Sequence, residues 1–130
     1  NVNDARIPDN AGEQPVDEPV VAGGPAAYFS TLPIKAMLAA LREEGLPAEI
    51  SNTAGTYVCN HIAYAMAHYT ARQRGVRTGF VHIPFLPNQA VTHAHAPSMS
   101  LEEVRRGLLV ALRAAVRIRA DAKLAAGTIS

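Results

Sequence analysis

A chain of 130 residues, 48% hydrophobic and 18% charged, is long enough for one domain with a real core and fits the soluble globular class. Twelve basic against eleven acidic residues leave a formal net charge of +1, which excludes the strong field that draws in nucleic acid or an anionic membrane. One cysteine rules out an internal disulfide, and no apolar run approaches the roughly 20 residues that span a bilayer, so the reducing cytoplasm is the expected compartment.

The chain opens at Asn1 without an initiator methionine or a signal-peptide pattern and runs at once into DARIPDN, which reads as a cut made within a protein. Residues 1–20 carry five acids (Asp4, Asp9, Glu13, Asp17, Glu18) and one base, Arg6, as a solvated loop would. Residues 8–33 are rich in Pro and Gly and predict a long irregular segment, either a lid or interface arm or a plain surface loop. From residue 33 to 44 the pattern turns helical: Ile34, Met37, Leu38 and Leu41 share a face, Pro33 suits the first turn, and Gly45 with Pro47 stops it. Residues 48–51, between a helix stop and a helix start, are expected to form a short buried strand.

The segment 56–73 is apolar nearly all round (Val58, Ile62, Ala63, Met66, Ala67) and predicts a helix buried on most sides, ended by Gly75. Gly79-Phe80-Val81-His82-Ile83, closed by Pro84, is the best strand candidate. Residues 84–99 hold three prolines and no period, a second loop. Ser100 and Glu103 have the spacing of a capping box, so a helix begins there and runs to about Ala120, with Leu101, Val104, Leu108, Leu112 and Ala115 as its apolar stripe and the arginines outside. The tail from Asp121 is weakly patterned and expected to fray. Helices alternating with short strands predict a single α/β domain over residues 1–130, a sheet between helices. Two strands do not make a stable sheet, so the others are expected to come from elsewhere.

Cys59 falls in the first turn of the helix over 56–73, where backbone N–H groups and the macrodipole favour a thiolate, the reactive form of a cysteine. A base is then needed. His82 stands near the carboxyl end of its strand, and Cys59 follows another such end, where ligands collect in open α/β sheets. A core role for both remains the competing reading. His61 and His68, seven apart on one helix, read as satisfied or exposed side chains. His93 and His95 invite a metal, but no third or fourth ligand completes a zinc pattern, so none is expected. Ala54-Gly55 before a helix lacks the flanking pattern of a phosphate loop, so no nucleotide is expected either.

Four segments in order, DARIPDN (4–10), AYFSTLPIK (27–35), SNTAGTYVCN (51–60) and GFVHIP (79–84), resemble the C-terminal part of the pyrrolidone-carboxylate peptidase (pyroglutamyl peptidase) family, over essentially all of residues 1–118. That resemblance implies a cysteine exopeptidase that removes N-terminal pyroglutamyl residues from peptides through a Cys–His–Glu triad, with Cys59 as nucleophile and His82 as general base and acid. It implies an oxyanion hole from the Cys59 N–H with Arg6 close by, and Ile7, Tyr57 and Val58 lining a pocket for the small uncharged lactam. It also implies a three-layer α/β/α sandwich with a mixed central sheet, a homotetramer, and neither metal nor cofactor. In the family the triad glutamate lies in an E-R-x-A-x-N stretch whose last residue aligns with Asn1, so it would stand five positions before the first residue given. The central strands and a glycine turn bearing a phenylalanine would precede it too. The chain is therefore expected to be the C-terminal half of an N-terminally incomplete domain, the alternative being a catalytically silent interaction or structural protein of the same origin.

Overall fold

A computed structural model describes residues 1–127. Four helices occur among them: α1 (Ile34–Glu43), α2 (Val58–Thr70), α3 (Pro87–Ala90) and α4 (Leu101–Arg117). They are divided between two compact units whose sequences interleave. One comprises Asn1–Leu32 and Ser51–Phe80, the other Pro33–Ile50 and the chain from Val81 onward.

The second unit is built on α1 packed against α4. α1 has no side-chain cap of its own at Pro33; instead the N–H groups of Lys35 and Ala36 donate to the Asp121 carboxylate at 3.2 and 2.9 Å. The tail expected to fray is thus anchored at its first residue, Asp121, where an anion meets a helix N-terminus; its residues 128–130 lie outside the described ones. α1 ends as its glycine predicts: Gly45 takes φ +69°, its N–H donates to Arg42 O and that of Leu46 to Leu41 O, both at 3.0 Å. This double bond pattern satisfies carbonyls the helix would leave open and turns Leu46 into the core, 3% exposed. α4 begins with the predicted capping box, the Glu103 N–H donating to Ser100 Oγ and the Ser100 N–H to Glu103 Oε2. Its buried face is small: Val104, Ala111, Ala114 and Ala115 close on Ala36, Met37 and Leu38. Leu101, Leu108 and Leu112, expected on that face, are exposed and form with Val116 a separate apolar stripe. An apolar period identifies a face that seeks cover; it does not say which of two flanks a neighbour takes.

Residues 84–99 form a loop closed at its base, where the Met99 N–H donates to Phe85 O at 2.9 Å and Phe85 bridges Ser98. Within it the short α3 begins at Pro87, and the His93 ring stacks on Phe85 with centroids 4.5 Å apart.

In the first unit the Pro- and Gly-rich segment is irregular, as expected, and tied down along its length. Asn3 bridges Glu18, the Ala5 N–H donates to Pro15 O at 2.8 Å, and the Asn1 side chain is bonded to Val21. Further on, the Tyr64 hydroxyl donates to Pro25 O at 2.6 Å, and Tyr28 packs on Tyr64 and hydrogen-bonds His68 Nδ1 at 2.9 Å. α2 buries Tyr64, Ala67 and Thr70 but leaves Val58, Ile62, Met66 and Tyr69 exposed in one stripe, which corrects the expectation of a helix buried on most sides.

Neither predicted strand, 48–51 or 79–83, is a strand among the described residues. The reason is pairing. The Thr31 N–H donates to Thr78 O at 2.9 Å and the Thr78 N–H to Thr31 Oγ1, but Pro33 follows without an N–H and α1 starts at once, so no ladder develops.

Candidate active site

The turn Ser51–Tyr57 delivers the chain into α2 through short-range bonds that replace regular structure: Ser51 Oγ donates to Thr53 O at 2.7 Å, and the Gly55 N–H to Thr53 Oγ1 at 3.0 Å. Gly55, at φ +79°, takes a conformation costly to any residue with a Cβ. Tyr57 is the N-cap, half-buried, and its side chain does not cap the helix. Val58 follows, 54% exposed, and then Cys59, half-buried, as the second helical residue. The expected placement of the only thiol in the first turn of a helix is therefore found.

The N-terminal segment lies alongside this turn. The Asp4 N–H donates to Thr56 O at 2.6 Å and Thr56 Oγ1 donates back to Asp4 O at 3.3 Å. From the other side of Cys59, Asn60 Nδ2 donates to Val2 O at 2.7 Å and His61 Nδ1 is bonded to Asn3 Oδ1 at 3.1 Å. Arg6 and Ile7 follow this docked stretch directly, and both are exposed. The structure thus docks Val2–Asp4, which lead directly into the ARIPDN stretch, against the cysteine turn. Next to them an open cavity of about 390 Å³ is lined by Tyr57, Val58 and His61 from the start of α2 and by Asn3, Asp9, Glu13 and Glu18 from the N-terminal segment. Cys59 and Arg6 are not in its lining.

His82 is exposed and belongs to the other unit, on the irregular stretch before Pro84. Of the remaining histidines, His61 and His68 are exposed and satisfied, one by Asn3 and the other by Tyr28, as read from their helix positions. His95 sits at φ +63°. Among the described residues no three His, Cys, Asp or Glu side chains are grouped to hold a metal, and no helix is long and apolar enough to cross a membrane.

Sequence reasoning singled out Cys59 but passed over Asn60, whose polar amide on an otherwise apolar helix was the available signal. A polar side chain in such a run needs a partner, and here the partner is the N-terminal backbone.

The sequence model of the pyroglutamyl peptidase family matches residues 1–118. A pyrrolidone-carboxylate peptidase of Erwinia tasmaniensis is 58% identical over 127 residues, 98% of this chain and 59% of the relative. One of Brevibacillus brevis is 52% identical over 131 residues, 100% of this chain and 61% of the relative. Among solved structures, pyroglutamyl peptidase I of Bacillus amyloliquefaciens superposes with a TM-score of 0.91 at 44% identity, covering 96% of this chain and 60% of that one. A mutant pyrrolidone carboxyl peptidase of Pyrococcus furiosus gives 0.86 at 42%, covering 92% and 60%. The chain thus spans about 60% of the length of the proteins it matches. These neighbours are α/β proteins, and the α/β class follows from the likeness.

Proposed function

Because the chain belongs to the pyroglutamyl peptidase family, we propose that the protein it represents is a cysteine exopeptidase that hydrolyses N-terminal pyroglutamyl residues from peptides. The observation that carries this reading is the place of Cys59: the only thiol, in the first turn of α2, beside the docked Val2–Asp4 that lead into the ARIPDN stretch, inside the matched region. The Cys59 thiolate attacks the carbonyl carbon linking the pyroglutamyl residue to the peptide. The tetrahedral oxyanion is held by the Cys59 backbone N–H with Arg6 near it. As the C–N bond breaks, His82 gives its proton to the leaving amine, and the acyl group remains as a thioester on Sγ. His82 then takes a proton from water, which attacks the thioester and releases 5-oxoproline and the thiol.

A glutamate supplied from outside these residues completes the triad by orienting His82. Ile7, Tyr57 and Val58 form the apolar wall that a small uncharged lactam needs, with few polar contacts. In this reading the chain is the C-terminal half of one three-layer α/β/α domain with a mixed central sheet, active as a homo-oligomer, a tetramer by family resemblance, in the cytoplasm, without metal or cofactor. The exposed stripe of α2 supports it, as an apolar surface that further elements of the domain would cover.

Release of a coumarin amine from its pyroglutamyl amide, with and without iodoacetamide, tests the reading on the full-length protein. Thiol-sensitive turnover that falls by at least about a thousandfold in Cys59→Ser is expected. Full activity of that variant would remove Cys59 from its role, and a parent protein without turnover would favour a catalytically silent member of the family.

A further inference from the structure

The segment that carries Arg6 and Ile7 has no secondary structure of its own. What holds it is α2. Three consecutive residues, Val2, Asn3 and Asp4, are bonded to Asn60, His61 and Thr56, and these partners bracket Cys59 on both sides. The Asn60 amide is oriented by its bond, Nδ2 donating to a carbonyl. Because Asn3 Oδ1 can only accept, His61 Nδ1 carries the proton between them. Asn3 is 6% exposed, so its side chain cannot trade that donor for water freely.

We infer that Asn60 and His61 are positioning residues, which keep the Arg6 segment in register with the first turn of α2 and so with the Cys59 N–H. This rests on the function proposed above and adds residues to it. Asn60→Asp is close to isosteric but sets an oxygen against Val2 O, so it breaks the tie without opening a cavity. If the tie serves to place Arg6, the loss falls on the transition state: kcat drops about tenfold and KM barely changes.

The discriminating experiment is a double-mutant cycle in the full-length protein with Arg6→Ala. Placement through Arg6 predicts that Asn60→Asp costs less than about twofold once Arg6 is gone, whereas a merely structural role gives additive losses. Hydrogen exchange at the Asp4 amide, whose N–H donates to Thr56 O, should accelerate at least about tenfold in Asn60→Asp. His61→Ala, at an exposed position, gives a second variant should Asn60→Asp not fold; His61→Asn, which restores a donor at the Nδ1 position, should recover turnover. Additive losses, or Asp4 exchange unchanged in both variants, overturn the inference. A parent protein without thiol-dependent turnover overturns instead the function on which it rests.

Discussion

Gly107 offers a sharp test of the α1–α4 packing. It lies inside α4, half-buried, where a Cβ would meet Leu41 Cδ2 at 3.6 Å and Leu46 Cδ1 at 3.7 Å. Those are ordinary van der Waals separations, so Gly107→Ala adds contact without strain. The helix interior gains about 1 kcal/mol from the lower backbone entropy cost of alanine, and a half-buried methyl adds about 0.4 kcal/mol, half of the value for a fully buried one. The sum, roughly 1–1.5 kcal/mol, corresponds to a rise in melting temperature of about 3–6 °C for a chain of this size. Urea unfolding followed by far-UV circular dichroism should show a higher midpoint at constant slope. A lower midpoint would mean that α1 and α4 approach more closely than described and would refute the packing derived for this seam.

The opposite sign is expected for Gly24→Ala. There a Cβ would lie 2.5 Å from the Tyr64 hydroxyl and 3.1 Å from Val21 O; one of these is backbone, and the other is committed to Pro25 O. A loss of about 1–3 kcal/mol follows, and it should shrink in a Tyr64→Phe background; an equal loss there would show that the hydroxyl is not the obstacle. For Asp121, desolvation pushes its carboxyl up, but the N–H groups of Ala36, Lys35 and Ala122, with the Lys35 charge, outweigh it and hold it below the ordinary value. A depressed folded-state value means stability present above the unfolded pKa, about 3.9, and lost as pH falls through the folded one. Asp121→Asn should therefore lower the unfolding free energy at neutral pH by about 0.5–1 kcal/mol, a range reduced for its exposure, and the gap should close in acid. A gap independent of pH would refute the charge-based cap.

What the sequence disclosed was local. α1 and α4 were legible because spacing, a capping box and a glycine stop are written within a dozen residues. The cysteine turn was legible for the same reason, and because its neighbours in four separated segments resemble one family. The two expected strands were not, since a strand is defined by a ladder with a neighbour, and the side chains of residues 79–83, apt for a strand, do not encode that ladder. The burial of α2 was overread because Val58, Ile62 and Met66 announce a face that wants cover, while cover depends on the rest of the fold. Distance in sequence hid the remainder: Asp121 caps a helix 85 and 86 residues away, and no periodicity marks such a bond.

The interleaving of the two units bears on how the chain is made. Asn1–Leu32 leaves the ribosome before its partners do: its ties are to Ser51–Phe80, and Pro33–Ile50, which belongs to the other unit, emerges between them. Val2 waits for Asn60 across 58 residues, and closing a loop of that length costs entropy before any contact returns it. Residues 1–32, with little local structure to form alone, thus lack these ties until Ser51–Phe80 has emerged, and Val2–Asp4 dock only after α2 exists. Assembly of the cysteine turn therefore waits on residues that are made well after half of its contacts have been.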